Sequence, residues 1–126
     1  MDTRKILFLG SKVLLGTLMI IFGLNKFFGF IPVEPPADPT AQTFLGTMFS
    51  SYLYQVVALA EIIGGILLFI PRTSFIGALI LLPVIFNIVA FHFAHDLPGN
   101  GIWLAPTFLF VLVLISFKER FKSFAI

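Results

Sequence analysis

Cysteine is absent from the 126 residues, which excludes disulfide bonds, thiolate nucleophiles, iron–sulfur clusters and CxxC redox couples. Charged residues are also scarce, at 11% against 59% hydrophobic ones, whereas a soluble domain averages about 25% charged residues. This is the composition of a protein whose solvent is lipid. The small formal charge of +2 gives no reason to expect nucleic acid as a partner.

Long apolar stretches account for most of the chain, whose mean hydropathy is +1.07. A helix that crosses the hydrocarbon core needs about 20 mostly apolar residues, and four segments have this character: 6–30, 52–70, 74–93 and 102–117. The first segment is longer than the core of a signal peptide, so we expect an uncleaved span there. The sequence predicts an all-α fold, a four-helix transmembrane bundle that forms one integral membrane domain over residues 1–126.

Basic residues outside the predicted spans indicate how the chain is oriented in the membrane. They flank the spans on one side only, at Arg4, Lys5, Arg72, Lys118, Arg120 and Lys122. The connections on the other side, 32–51 and 95–101, contain no Lys or Arg. Because short cytoplasmic loops are enriched in these residues, the pattern predicts that both termini lie in the cytoplasm.

The first outer connection combines a proline-rich stretch with a helix start. Asp38 followed by Pro39 is typical of a helix N-terminus, with an N-cap acceptor before proline at the first helical position. From Thr40 to Phe49 the apolar residues share one side. The sequence therefore predicts a short amphipathic helix on the outer surface of the bilayer or bundle, with an irregular loop as the alternative.

Glu61 lies in the middle of the second predicted span. At ~1.5 Å per residue it is about 15 Å from the nearer interface, too deep for a glutamate to reach water, so we expect it to face the bundle interior. Lys26, near the outer end of the first span, is its expected partner, because an ion pair neutralises two charges that lipid disfavours. The alternative is that Lys26 extends alone to the interface.

Other polar residues lie at a depth that allows them to join this pair. The predicted buried polar cluster consists of Asn25, Lys26, Glu61, Asn87 and His92. Asn87 has a structural alternative, a hydrogen bond between helices that stabilises packing.

Three residues near the same region are secondary candidates: Tyr54, on the helical face of Glu61, and His95 and Asp96, late in the third span. An interfacial helix end is the alternative for the last two. No metal site is predicted, because His92 and His95 lie on adjoining helical faces and transition metals usually need three or four ligands.

Three stretches carry a resemblance to a known family: Gly23-Leu24-Asn25-Lys26-Phe27, Glu61-Ile62-Ile63-Gly64-Gly65-Ile66-Leu67-Leu68, and Pro83 to Asn87 with His92. Through them the chain resembles the DoxX and DoxX-like family of small four-helix bacterial membrane proteins over nearly its whole length. The resemblance implies a bacterial inner-membrane location and association with membrane oxidoreductase systems. It also implies candidate site residues at positions that are polar in the family: Lys26, Glu61, Asn87 and His92. Mechanisms of similar four-helix proteins that work through cysteines do not transfer to this chain.

The resemblance and the polar cluster favour an accessory subunit of a membrane redox system rather than a stand-alone enzyme. In this hypothesis the cluster binds a quinone-like or other lipophilic ligand or relays protons, with Glu61 as proton acceptor and Lys26 as its charge partner. Asn87 or His92 would donate hydrogen bonds, and no cofactor is firmly implied. The expected partners are the lipid bilayer and either a second copy of the chain or a membrane redox protein.

The sequence is also compatible with two other functional hypotheses. In the first, the chain is a structural or assembly protein whose polar cluster only locks the helix bundle. In the second, it is a small-solute transporter, which the sequence favours less, because four spans leave little room for a pore and no broken helix pair marks a substrate site.

Overall fold

The computed structural model describes residues 2–32, 35–95 and 101–124. These residues form six α-helices and no β-strand: α1 (Thr3–Phe28), α2 (Pro39–Ser50), α3 (Leu53–Leu68), α4 (Ser74–His95), α5 (Leu104–Ser116) and α6 (Lys118–Phe124). The predicted all-helical fold is confirmed. Asp96, one of the secondary candidates, lies outside the described residues.

The short helix predicted in the first outer connection is α2. The side chain of Asp38 caps it by accepting a hydrogen bond from the backbone N–H of Ala41 at 3.2 Å, and Pro39 is its first residue. Ala41 is buried, and the ring of Phe44 packs on Phe91 of α4 with 5.5 Å between centroids. α2 and α3 meet at an angle of 81°, so α2 runs across the direction of α3.

Helix length supports some of the predicted spans directly. α1, with 26 residues, and α4, with 22, are long and apolar enough to cross a membrane. α2 and α3 meet the same criterion only together, as a bent pair, and α5 has 13 residues, about 20 Å of helix. The structure is consistent with a helical membrane bundle that has two clear spans, and the count of four crossings stays a prediction.

α3 lies between α1 and α4 and contacts both through glycine. A Cβ atom on Gly16 of α1 would lie 2.8 Å from the carbonyl oxygen of Gly65, and a Cβ atom on Gly77 of α4 would lie 2.8 Å from that of Gly64. Any larger residue at these positions would push the helices apart. Close backbone contact of this kind drives helix association in lipid, where burial of apolar surface between helices contributes little.

Large apolar side chains point away from the core on the long helices. The buried core cluster is small and consists of Leu15, Met19, Leu68, Ala78, Leu81, Ile85, Phe110 and Val113. Outside it, Phe86 of α4 is 68% exposed and Phe108 of α5 is 65% exposed. Soluble monomers rarely present so much contiguous apolar surface, which supports lipid as the surroundings of these helices.

α6 is a seven-residue helix that the hydropathy pattern does not predict. It packs against Phe75 at the start of α4, whose ring centroid lies 5.2 Å from that of Phe117 and 5.3 Å from that of Phe121. The guanidinium carbon of Arg120 lies 5.1 Å from the same centroid. A helix this short is marginal in isolation, so these contacts with Phe75 are what stabilises it.

Replacing Gly16 by alanine is expected to lower the stability of the bundle. The new Cβ would lie 2.8 Å from the carbonyl oxygen of Gly65, and this backbone atom can move only if α3 moves with it. Thermal unfolding in detergent, followed by size-exclusion profiles of heated samples, should therefore give a lower midpoint for Gly16→Ala than for the wild type.

Gly10 in the same helix is the matched control, because a Cβ there meets nothing within 4 Å. Alanine is favoured over glycine inside a helix by about 1 kcal/mol, so Gly10→Ala should leave the midpoint unchanged or raise it. Equal midpoints for the two variants would contradict the close contact between α1 and α3.

Candidate functional site

Lys26 of α1 and Glu61 of α3 form an ion pair inside the bundle. The Nζ atom of Lys26 lies 2.7 Å from Oε1 of Glu61. The side chain of Glu61 is 1% exposed, whereas that of Lys26 is 20% exposed. The structure thus confirms the predicted partner of Glu61 and leaves one side of the pair accessible through the lysine.

The direction of the two helices explains how Lys26 reaches Glu61. Gly23 of α1 lies against the backbone of Ala58 in α3, and in this antiparallel register Lys26 is level with Gln55, six residues or about 9 Å from Glu61 along the axis. Each Cα–Cβ bond tilts toward the N-terminus of its own helix. The two side chains therefore lean toward each other and close the gap.

Gly23 also determines how tightly α1 and α3 pack beside the pair. A Cβ atom on Gly23 would lie 2.7 Å from the carbonyl oxygen of Ala58 and 3.3 Å from Cβ of Glu61. No side chain fits there without displacing α3. The carboxylate is therefore held in a packed helix contact.

One oxygen of Glu61 has unused hydrogen-bonding capacity. Lys26 Nζ lies 2.7 Å from Oε1, and no other donor among the described residues reaches this oxygen. Buried polar atoms almost always have a hydrogen-bond partner. The Glu61 carboxylate can therefore accept a hydrogen bond from a further group.

The two asparagines of the predicted cluster bond elsewhere. Asn25 donates from Nδ2 to the carbonyl oxygen of Ile31 at 3.1 Å, and its Oδ1 accepts from the N–H of Ile31 at 2.6 Å, which stabilises the chain just after α1. Asn87 is exposed on α4 and donates from Nδ2 to the carbonyl oxygen of Pro83 at 2.8 Å. The structure brings Lys26 and Glu61 together without placing either asparagine in a hydrogen bond with them.

His92 belongs to an aromatic group near the C-terminal end of α4. Its Nδ1 lies 2.8 Å from the carbonyl oxygen of Ile88, so this nitrogen carries the hydrogen. The ring stacks on Trp103 with centroids 4.8 Å apart and planes 17° apart. Trp103 is buried, and its Nε1 has no acceptor among the described residues. From the sequence, Trp103 has the position of an interfacial aromatic residue near the outer end of a predicted span, which does not predict this stacking.

The remaining secondary candidates also have neighbours that the sequence did not predict. Nδ1 of His95 lies 3.7 Å from Oδ2 of Asp38, which links the end of α4 to the residue that caps α2. Tyr54 is half-buried, and its ring meets Phe49 of α2 edge-on with 4.6 Å between centroids. Both contacts join residues to α2, whose position only the folded chain reveals.

The ion pair is the part of this region with the clearest chemical capacity. It offers an ammonium donor and a carboxylate acceptor in a setting from which water is largely excluded, where charge-assisted hydrogen bonds are strong. Among the described residues, no three His, Asp or Glu side chains are arranged to hold a metal ion. The arrangement suits the binding of a small polar group or the transfer of a proton.

Removing one member of the pair should cost more stability than removing both. Lys26→Met leaves the buried Glu61 charge unpaired, which lowers the free energy of unfolding by about 3–5 kcal/mol for a buried pair. Lys26→Met combined with Glu61→Leu removes both charges and should lie closer to the wild type. Titration with dodecyl sulfate measures the free energy of unfolding of the wild type, of Lys26→Met and of the double variant.

A surface pair provides the control for this comparison. Nζ of Lys122 lies 3.7 Å from Oε1 of Glu119, with both side chains more than 70% exposed, and Lys122→Met should change the unfolding midpoint little. If the double variant were as unstable as Lys26→Met alone, lost packing rather than an unpaired charge would be the cause.

Comparisons with known proteins place this chain among its relatives. The DoxX family model matches residues 7–96, a region that includes most of α1, all of α2 to α4 and both members of the ion pair. The uncharacterized protein YwoB of Bacillus subtilis (strain 168) is 32% identical over 111 residues, which cover 82% of this chain and 70% of YwoB. No solved structure matches. The chain therefore belongs to the DoxX family.

Proposed function

We propose that this DoxX-family membrane protein is an accessory subunit of a membrane redox system, and that the Lys26–Glu61 pair binds the head group of a quinone-like lipophilic ligand or relays its protons. The observation that carries the proposal is the buried Oε1 atom of Glu61, which has the Lys26 ammonium 2.7 Å away and no further hydrogen-bond donor among the described residues. The partial exposure of Lys26 supports a route by which a head group approaches the pair from the membrane.

The chemistry of the pair suits a ring that carries oxygen substituents. The Lys26 ammonium donates a hydrogen bond to a carbonyl oxygen, and Oε1 of Glu61 accepts one from a hydroxyl group. Oxidation of a hydroquinone releases two protons and two electrons. In this proposal Glu61 accepts one proton from a ring hydroxyl, the second proton passes to water at the exposed side of Lys26, and both electrons pass to the redox partner protein, which is the oxidant.

The packing beside the pair supports a second candidate, a structural or assembly role. Gly23 is in close contact with Ala58 and Glu61, and the charged atoms are 2.7 Å apart. Such a pair also joins α1 to α3 if no ligand ever binds. In that case the apolar replacement of both charges preserves function as well as fold, because buried ion pairs can often be exchanged for apolar residues of similar size.

Glu61→Gln should weaken quinone binding without unfolding the protein. The amide keeps the size of the side chain but loses the charge that strengthens its hydrogen bond, and a hydrogen bond to a charged group contributes about 1.5–3 kcal/mol. We therefore expect at least about a tenfold loss of affinity for decylubiquinone, measured by its retention on detergent-solubilised protein with mass spectrometry.

Glu119→Gln is the matched control, since it changes the same group at a position that is 76% exposed, and it should bind as the wild type does. Equal affinity of Glu61→Gln and wild type, with normal size-exclusion profiles, would contradict ligand binding at the pair. If the Lys26→Met and Glu61→Leu double variant replaced the wild-type protein in cells without loss of its function, the structural role would be favoured.

We further propose that the protein lies in the bacterial cytoplasmic membrane and crosses it four times, through α1, α3, α4 and α5, with both termini in the cytoplasm. The distribution of Lys and Arg supports this orientation. The bend between α2 and α3 supports α2 as a surface helix rather than as part of a span.

Single cysteine variants can test this topology, because the chain has no cysteine of its own. With a membrane-impermeant maleimide on intact spheroplasts, Thr40→Cys should be labelled, whereas Pro71→Cys and Ser123→Cys should react only after lysis. Labelling of Pro71→Cys from outside would indicate that only α1 and α4 cross. Labelling of Ser123→Cys from outside would indicate three crossings.

A further inference from the structure

α5 and α6 meet at Phe117, and a shallow, wide-open groove of about 490 Å³ lies along their junction. We call it the elbow groove, and its lining residues are Val111, Leu114, Ile115, Lys118, Phe121 and Lys122. The three α5 residues and Phe121 provide an apolar surface, and the two lysines lie at one end of it. The groove therefore has an apolar part and a cationic part within a few helical turns.

Contacts with α4 hold the cationic end of the groove in place. Phe117 and Phe121 both pack on the ring of Phe75, and Arg120 lies over the same ring on another side of α6. Lys118 and Lys122 are four residues apart and therefore lie on one side of the helix. Both lysines line the groove, and the position of α6 on Phe75 keeps them at this end of it.

The charge at this end of the groove is incompletely balanced. Glu119 is the acidic residue of α6, and its carboxylate lies 3.7 Å from Nζ of Lys122 in a highly exposed pair that contributes little attraction. Arg4 and Lys5 add further positive charge on the same predicted side of the membrane. An anionic group is therefore the complementary occupant for the two lysines.

The apolar wall of the groove continues along the lipid-facing side of α5. Val111 is 48% exposed and Ile115 is 43% exposed, and both precede the lysines by one to three helical turns. A molecule that fits both parts has an anionic head at the level of α6 and a hydrocarbon chain that runs along α5. A free phosphate or a soluble anion would leave the apolar wall uncovered.

We propose that the elbow groove binds one anionic phospholipid of the cytoplasmic leaflet. Lys118 and Lys122 contact its phosphate, and an acyl chain lies against Val111, Leu114 and Ile115. This assignment rests on the topology proposed above and does not depend on the ligand proposed for Lys26 and Glu61, which lie on other helices.

Native mass spectrometry of the detergent-solubilised protein tests the proposal, with phosphatidylglycerol as the anionic probe and phosphatidylethanolamine as the zwitterionic one. Wild type should retain one phosphatidylglycerol in preference to phosphatidylethanolamine. Lys118→Gln combined with Lys122→Gln should lower the affinity for phosphatidylglycerol about 30-fold, given the typical attraction of a basic residue to an anionic membrane surface.

Two comparisons distinguish a built site from general attraction to the leaflet. Arg4→Gln combined with Lys5→Gln removes the same charge outside the groove and should leave the tightly bound phosphatidylglycerol in place. Ile115→Trp keeps both lysines but fills the apolar wall, and it should also lower the retention of this lipid. Normal size-exclusion profiles establish that each variant is folded.

The opposite outcomes would overturn the proposal. An equal loss in the Arg4 and Lys5 variant would show attraction to the whole basic surface rather than to the groove. Unchanged retention in Ile115→Trp would show that the acyl chain does not occupy the groove. Displacement of phosphatidylglycerol by millimolar inorganic phosphate would show that the lysines hold a phosphate without the chain.

Discussion

A carboxylate buried in a bundle that lipid surrounds needs a cation within a few ångströms, and most of the arrangement around α3 follows from how this chain meets that need. Glu61 is almost fully buried in α3. Its partner Lys26 lies in the last turn of α1, which runs antiparallel to α3. The pair forms only because α1 and α3 approach closely enough for both side chains to reach. Since apolar side chains gain little from leaving lipid for another helix, glycine contacts between backbones supply this approach.

The same glycines explain why α3 is the central helix. Gly65 meets α1 on one side and Gly64 meets α4 on the other, so two adjacent residues of one helix determine both contacts. The bundle is consequently held by backbone proximity at the level of these glycines and by the ion pair further out along α1. A small apolar core is sufficient because lipid covers the remaining apolar surface.

Three groups of polar and charged side chains are prominent among the described residues. The ion pair lies within the bundle, the contacts of His92 with Trp103 and of His95 with Asp38 lie where α4 ends, and basic residues with phenylalanines lie at the start of α4 and along α6. The ion pair acts through desolvated charge, whereas the basic residues along α6 belong to the surface that we propose meets lipid head groups.

Helix starts and the depth of charged residues were predictable from local sequence. Asp38 before Pro39 predicts the cap of α2, because the cap depends on residues that are neighbours in the chain. The depth of Glu61 in an apolar segment predicts that it needs a partner, and Lys26 was the basic residue within reach. Asn87 is different. It lies on an almost uniformly apolar helix, where periodicity does not distinguish a face that meets lipid from one that meets protein, and the structure places it on the exposed side.

The sequence by itself determined the membrane class, the helices α1 to α5, the capped start of α2 and the need of Glu61 for a cation, because each depends on composition or on residues close in the chain. Only the tertiary structure decided which glycines meet, that α6 packs on Phe75, that Trp103 stacks on His92, and that Oε1 of Glu61 has no donor besides Lys26 among the described residues. The physical reason is the solvent. In water, apolar residues mark the face of a helix that packs on the core. In lipid both faces are apolar, so the contacts between helices depend on shape and on a few polar atoms.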